Sequence, residues 1–149
     1  MRINHARSDF PDNFPIPLRT LVVDDSVVLL ESLCAYLKSK PLFHVFGTAA
    51  DGREALRMAE LHEPDLVLMD LNMPFMDGLK ATEILRHHLP SVRIIIMSFD
   101  APANAEAEAR AHGAHGFICK QAIMNDLTLM TEVRRAFHPN HRKDQGNNP

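Results

Sequence analysis

Short apolar runs alternate with longer segments of helical periodicity along this chain. The apolar runs cover about residues 19–24, 43–47, 65–70, 92–97 and 115–119. Each is too short to favour a helix and is typical of a buried strand. The segments between and after them predict helices over about 27–38, 51–62, 77–88, 101–112 and 123–137. This alternation predicts an α/β fold with a parallel sheet, helices on both faces and right-handed crossovers.

Polar residues at the helix starts and prolines at the helix ends support these boundaries. Ser26 is a predicted N-cap, the Asp51-Gly52 pair is predicted to cap the second helix, and the Asp77-Gly78 pair is a turn and helix-start signal. The second strand is less apolar than the others, which favours an outer position. The helix over 101–112 is rich in Ala and lacks a large apolar stripe, so we expect it to pack shallowly.

The ends of the chain differ from its centre. We predict an irregular N-terminal arm over 1–18, one folded domain over 19–138, and a polar, disordered tail or linker start over 139–149. No apolar run approaches the ~20 residues of a membrane span, and no export signal is seen, so a cytoplasmic location is the default expectation.

Composition excludes several functional classes. The chain has 149 residues, 46% of them hydrophobic, and a net charge of -3, which gives no basic surface for nucleic acid. The two cysteines have no metal-ligand spacing, and burial as reduced thiols is the simpler interpretation. The nine histidines are dispersed and favour surface positions over a metal site.

The candidate chemistry lies where the predicted strands end. Asp24 and Asp25 follow the first strand, Asp70 ends the third, Ser98 follows the fourth, and Lys120 follows the fifth. In open parallel sheets, ligands bind outside the carboxyl ends of the strands. Each acid alone could be a helix cap or a loop acid, but that interpretation does not explain why Asp70 ends a fully apolar strand.

A hard dication would resolve the repulsion among three neighbouring carboxylates. Mg²⁺ prefers carboxylate, carbonyl and water oxygens, so Asp24, Asp25, Asp70 and the backbone carbonyl of Asn72 are the predicted ligands. A carboxylate can attack phosphorus and form an acyl phosphate. Mg²⁺ and a lysine would supply positive charge and a serine a hydrogen bond, and together these groups predict phosphorylation of Asp70.

The chain resembles the receiver domains of two-component response regulators (CheY-like proteins) over about residues 19–137. The resemblance is carried by the acid pair, the stretch Asp70 to Pro74 with the Asp77-Gly78 pair, Ser98, and the stretch Gly113 to Phe117 leading to Lys120. It implies a flavodoxin-like, doubly wound, five-stranded parallel sheet of order 2-1-3-4-5 with about five helices.

The resemblance also implies roles for individual residues. Asp70 would accept phosphate from a histidine kinase or a histidine phosphotransfer protein. Asp25 and Asp70 would bind Mg²⁺ directly with the Asn72 carbonyl, and Asp24 would assist. Ser98 and Lys120 would contact the phosphoryl group. Ser98 and Phe117 would form a switch that alters the surface of the fourth and fifth helices, although Phe117 could equally be only a core residue.

Three residues depart from the family pattern. Phe99 follows Ser98 where a small residue is more common, and its ring could crowd the phosphate pocket. Asp100 is an acid near the pocket mouth that could assist or repel an attacking water. Gln121 replaces a proline that often follows the lysine, so we expect a trans peptide bond there and a differently shaped loop. These changes concern the switch and its kinetics.

Several functions remain open at this point. The stretch Gly113 to Lys120 and the early end of the last helix are similar to receivers attached to LuxR-type helix-turn-helix domains, which implies transcription as the output, through a domain outside this sequence. Alternatives are a stand-alone receiver acting by protein contacts or as a phosphorelay shuttle, and a degenerate receiver scaffold. An aspartyl-phosphate phosphohydrolase is disfavoured because Asn72 stands where a second acid is needed. A flavin or nucleotide binder is disfavoured because no glycine-rich phosphate loop is present. We expect no enzymatic activity beyond catalysis of the domain's own phosphorylation and dephosphorylation. A homodimer could form on phosphorylation. We expect contact with DNA only through a separate domain.

Overall fold

The computed structural model describes residue 10 and residues 14–138, and these form a single parallel sheet covered by helices on both faces. The strands are β1 Leu18–Val23, β2 Phe43–Ala49, β3 Leu66–Asp70, β4 Arg93–Ser98 and β5 Gly116–Cys119. The helices are α1 Val27–Lys38, α2 Gly52–His62, α3 Gly78–His88, α4 Ala105–Ala111 and α5 Asp126–Phe137. The sheet order is β2-β1-β3-β4-β5 and every pairing is parallel, which confirms the predicted fold.

The predicted boundaries differ from the observed ones at a few places. β1 begins one residue earlier than expected, and β2 continues to Ala49. α4 is shorter than the Ala-rich segment, because residues 101–104 form a turn before it. α5 begins only at Asp126, since a short 3₁₀ turn over Lys120–Ala122 intervenes. Helical propensity alone does not place these ends, which depend on where the chain meets the sheet.

Side-chain caps fix the starts of three helices, two of them at the predicted caps Ser26 and Asp51 and the third at Asp77, in the predicted helix-start pair. The side chain of Ser26 accepts a hydrogen bond from the backbone N–H of Leu29, and Asp51 and Asp77 cap α2 and α3 in the same manner. The caps satisfy backbone donors that would otherwise lack partners. They also fix where the chain turns after β1, β2 and β3, and therefore where the polar residues at the strand ends lie.

Two apolar cores fill the space on either side of the sheet. Residues alternate between the two along each strand, so that Leu68 faces one core and the neighbouring Val67 and Met69 face the other. β3 is buried along its whole length, as its apolar sequence predicts. α4 contributes only the small side chains Ala105 and Ala109 to its core.

Part of the N-terminal arm belongs to the folded unit. Phe10 and Phe14 are buried, and their rings stack with centroids 4.1 Å apart. Phe14 also meets the ring of Phe137, the last residue of α5, at 4.7 Å. No hydrophobic periodicity in the sequence predicts these contacts. The rest of the predicted arm, residues 1–9 and 11–13, and the predicted tail over 139–149 lie outside the described residues.

Candidate functional site

The carboxyl ends of β1, β3 and β5 bring two acids and a lysine together. Lys120 Nζ lies 2.7 Å from Asp24 Oδ2 and 3.0 Å from Asp70 Oδ1. All three side chains are nearly or fully buried. Residues about fifty positions apart in the chain therefore meet as one charged cluster, as the strand-end pattern predicts.

A third acid completes the cluster. Asp24, Asp25 and Asp70 each place a carboxylate oxygen within 4.8 Å of the others. Asp25 is exposed, whereas Asp24 and Asp70 are buried. The cluster thus has an open side toward solvent at Asp25 and a closed side at Lys120.

Burial and charge determine the protonation of the cluster. Burial raises the pKa of Asp70 to about 6, and the nearby Asp24 carboxylate adds to the increase, while Lys120 and the Asn72 N–H oppose it. Burial alone would lower the pKa of the Lys120 ammonium, but its contacts with Asp24 and Asp70 outweigh burial and raise that pKa. One ammonium therefore does not fully compensate the acids.

The donor set fits a divalent cation. Asp24 Oδ2 is buried without a well-directed hydrogen bond, and its close contact with Lys120 Nζ is an ion pair. Three carboxylates, an uncompensated negative charge and an open side match the oxygen-rich, partly hydrated site that Mg²⁺ takes. Asn72 lies next to the cluster and donates its backbone N–H to Asp70 Oδ1 at 3.3 Å.

The loop after Asp70 folds back tightly on the strand. The N–H of Gly78 donates to the carbonyl of Leu71 at 2.9 Å. A Cβ atom at position 78 would collide with the backbone carbonyl of Asp70, so a glycine is required where α3 begins. This close approach holds the backbone of Asp70 in place. From the sequence alone, the Asp77-Gly78 pair predicts only the start of a helix.

Ser98 and Phe117, the predicted switch residues, lie in neighbouring strands: Ser98 ends β4, whereas Phe117 lies within β5 and pairs with Ile96. Ser98 is buried, and its hydroxyl donates to the backbone carbonyl of Asp100 at 2.7 Å. Phe117 is 9% exposed and belongs to the core beneath α4, with Ala105 and Ala109. Switching itself stays a prediction.

Two contacts at this edge had no clear sequence signal. The ring centroid of Phe99 lies 5.0 Å from Lys120 Nζ. The side-chain amide of Gln121 donates to the carbonyl of Phe99 at 3.1 Å. Among the described residues, the cis peptide bond is Ile16–Pro17, so the bond from Lys120 to Gln121 is trans, as expected. The sequence shows that Phe99 is bulky, but it does not predict that the ring contacts Lys120.

Comparison with known proteins identifies the same kind of domain. The family model described as "Response regulator receiver domain" matches residues 20–132. The transcriptional regulatory protein LnrK of Bacillus subtilis is 33% identical over 103 residues, covering 69% of this chain and 47% of that protein. A protein-glutamate methylesterase/protein-glutamine glutaminase of Methanococcoides burtonii is 34% identical over 129 residues, covering 83% of this chain and 37% of that protein.

Solved structures agree with the sequence comparison. A chain of the CheX–CheY–BeF₃–Mg²⁺ complex of Borrelia burgdorferi matches with a TM-score of 0.76 and 28% identity, over 88% of this chain and 97% of that one. The signal receiver domain of NarL from Mycobacterium tuberculosis matches with a TM-score of 0.75 and 27% identity, over 83% of this chain and 100% of that one. The chain thus matches isolated receiver domains along nearly their whole length, but spans only about a third to half of the two curated relatives.

Proposed function

The chain belongs to the response regulator receiver domain family, and from this membership and the site geometry we propose that Asp70 is its Mg²⁺-dependent phosphoacceptor. The observation that carries the proposal is the meeting of Asp24, Asp25, Asp70 and Lys120 at one sheet edge. The three acids, with the backbone carbonyl of Asn72, would hold the Mg²⁺ ion. When bound, the ion supplies positive charge against the phosphoryl oxygens.

The chain's own residues position the reaction. Both observed contacts of the Asp70 carboxylate fall on Oδ1, which suits Oδ2 as the attacking oxygen. Oδ2 forms a bond to phosphorus as the bond from phosphorus to the donor nitrogen of a phosphohistidine breaks. The donor histidine keeps that electron pair, and Lys120 and Ser98 contact the transferred group.

The proposed partners follow from this chemistry. A histidine kinase or a histidine phosphotransfer protein supplies the phosphoryl group in the cytoplasm, and the chain's catalysis is limited to its own phosphorylation and dephosphorylation. Among the described residues, no helix combines the length and apolar character needed to cross a bilayer.

The proposed switch begins at Ser98. A phosphoryl group on Asp70 would draw the Ser98 hydroxyl away from the Asp100 carbonyl, and Phe117 would turn toward the space that Ser98 leaves. The surface of α4 and α5 would then change. The shift in population toward the switched state is limited by how much more favourably the phosphoryl group interacts with that state than with the other. Backbone hydrogen exchange of α4 and α5, with and without beryllofluoride and Mg²⁺, should show faster or slower exchange confined to these elements and the β4–α4 loop.

We propose transcription control as the output, through a separate LuxR-type DNA-binding domain and with dimerisation on phosphorylation. The similarity to LnrK, described as a transcriptional regulatory protein, favours this output. The alternative, a receiver that acts by protein contacts or as a phosphorelay shuttle, is favoured by the match to a chain of the CheX–CheY complex over nearly its full length.

Labelling of Asp70 tests the proposed function directly. The chain is incubated with acetyl phosphate and Mg²⁺, and its intact mass is measured. We expect one added phosphoryl group, lost in Asp70→Asn and in the presence of a chelator. Asp77→Asn is a matched control, because Asp77 lies in the same loop and asparagine caps a helix equally well. Full labelling of Asp70→Asn would refute the site, and equal labelling without divalent metal would refute the role of the acids.

A further inference from the structure

Phe99 places an exposed ring beside a buried ammonium. The side chain of Lys120 is 6% exposed, whereas Phe99 is 56% exposed. The centroid of the ring lies 5.0 Å from Lys120 Nζ, within the range of a cation–π contact. The partly exposed ring therefore packs beside the buried ammonium, and Lys120 Nζ in turn lies 3.0 Å from Asp70 Oδ1.

Hydrogen bonds involve the backbone carbonyls of Phe99 and of the next residue, Asp100. Gln121, the residue after Lys120, donates its side-chain amide to the Phe99 carbonyl at 3.1 Å. The Ser98 hydroxyl donates to the Asp100 carbonyl at 2.7 Å. A large exposed ring on a free loop would sample many positions. The proposed switch breaks the Ser98 bond on phosphorylation, so the hydrogen bond from Gln121 is the one that restricts the ring in the phosphorylated state.

We propose that Phe99, held by Gln121, is a positioning residue that covers the Lys120 side of the acceptor site and slows the entry of water and small phosphodonors. This inference rests on the proposed function. In hydrolysis of the acyl phosphate, a water oxygen bonds to phosphorus while the bond between phosphorus and the Asp70 oxygen breaks. The electron pair stays on the Asp70 carboxylate, and the proton of the water is released with inorganic phosphate. Excluding water from this step extends the lifetime of the phosphorylated state.

A second exposed aromatic provides a matched control. Phe75, in the loop after Asp70, is 80% exposed and lies over Arg53 at 4.7 Å. Arg53 is itself exposed, so this ring covers no buried group. Truncating Phe75 removes the same amount of aromatic surface beside the same sheet edge without opening the lysine pocket.

The lifetime of the phosphoryl group is the first test. The chain is phosphorylated with acetyl phosphate and Mg²⁺, the donor is removed, and the phosphorylated fraction is followed by intact mass. We expect Phe99→Ala to shorten the half-life about five- to tenfold, an effect on the order of 1 kcal/mol in the barrier. Phe99→Leu, which restores bulk, should recover most of the lifetime, and Gln121→Ala should shorten it less than Phe99→Ala does. Phe75→Ala should stay within about twofold of the parent chain.

The exposure of Lys120 is the second test and does not depend on phosphorylation. Metal-free protein is treated briefly with a small amine-acylating ester, and labelled peptides are quantified by mass spectrometry. Lys80, which is 63% exposed, serves as the internal reference. We expect labelling of Lys120 relative to Lys80 to rise about fivefold or more in Phe99→Ala and to remain unchanged in Phe75→Ala.

The two readouts separate the two proposals. A parent chain that takes up no phosphoryl group would refute the proposed function, and the labelling of Lys120 would still test the cover. If the parent chain and Phe99→Ala are both phosphorylated normally and the phosphoryl group has the same half-life in each, the proposed role of Phe99 is overturned, whether or not labelling of Lys120 changes. Equal loss of lifetime in Phe75→Ala would also overturn it, because the effect would then not belong to the lysine pocket.

Discussion

The two edges of the sheet are built from opposite kinds of side chain. At the carboxyl edge, Asp24, Asp70 and Lys120 are buried charges that only partly compensate one another. At the amino edge, the rings of Phe14 and Phe137 meet one another, with Phe10 stacked on Phe14. The carboxyl edge holds reactive groups at a cost in folding free energy, whereas the aromatic cluster at the amino edge contributes stability, although Arg93 also lies over the Phe137 ring at 6.0 Å.

The comparison shows where this domain can tolerate an unfavourable arrangement. Buried carboxylates with a raised pKa destabilise the folded state at neutral pH, whereas buried aromatic rings stabilise it through area and ring contacts. The two edges lie at opposite ends of the same strands, so the favourable edge can offset the unfavourable one without disturbing its geometry. Mutations at the two edges should therefore change stability in different and separable ways.

Removing a ring from the aromatic edge should have the largest effect. We expect Phe14→Ala to lower the free energy of unfolding by about 3 kcal/mol, because the side chain is 9% exposed and contacts two other rings. Urea unfolding measures the change. Uptake of phosphate by the folded variant should be normal. A loss below about 1 kcal/mol would mean that the N-terminal arm adds little to the stability of the fold. It would contradict the view that the aromatic edge offsets the cost of the charged edge.

Removing the cation from the charged edge should have an intermediate effect. We expect Lys120→Met to lower the free energy of unfolding by about 2 kcal/mol in chelator, because two buried carboxylates lose their counter-charge. Protonation of Asp70 limits the loss. Urea unfolding with Mg²⁺ should show a smaller decrease, since the ion replaces part of the missing charge. Lys80→Met, at an exposed position, is the control, and an equal decrease with and without Mg²⁺ would contradict this account.

Neutralising the acceptor should have the smallest effect and the opposite sign. The folded pKa of Asp70 is about 6, above its ordinary value of 3.8, so the folded state binds its proton more tightly than the unfolded chain does. In chelator, this group's contribution to stability is therefore greatest below about pH 4, falls as pH rises to about 6, and is constant above. Asp70→Asn removes this dependence. At pH 7 the variant should be more stable by only about 1 kcal/mol, because the loss of the charge contact with Lys120 offsets part of the gain from removing the buried carboxylate.

Melting temperature as a function of pH measures this prediction. The curves of the parent chain and Asp70→Asn should diverge as pH rises from about 4 to about 6, the interval between the unfolded and folded pKa values. Asp77→Asn should follow the parent chain. Parallel curves for the parent chain and Asp70→Asn would show that the charged edge carries no such cost.

The sequence predicted most of the fold because its signals are local and repeated. Each strand is an apolar run, and the caps at Ser26, Asp51 and Asp77 are found where a side-chain oxygen precedes a helical segment. α4 and α5 begin later than the sequence predicts, because helical propensity does not show where a turn must pass over the sheet edge. The sheet order came from the resemblance to a known family rather than from periodicity.

The sequence predicted which residues form the candidate site but not which of their side chains contact one another. The positions of Asp24, Asp70 and Lys120 after three strands sufficed to predict that they meet, because parallel strands align their carboxyl ends. That Lys120 pairs with both acids, and that Phe99 covers it while Gln121 holds Phe99, depends on loop geometry that no periodic pattern encodes.

The sequence by itself determined the alternation of strands and helices and the identity of the polar residues at the strand ends, because these depend on hydrophobic spacing and local backbone preference. Only the tertiary structure decided the packing of Phe14 on α5 and of Phe10 on Phe14, the raised pKa of Asp70 and the contact of Phe99 with Lys120. Burial and charge interaction depend on the distances between residues that are remote in the sequence. Those distances are set only when the strands assemble into the sheet.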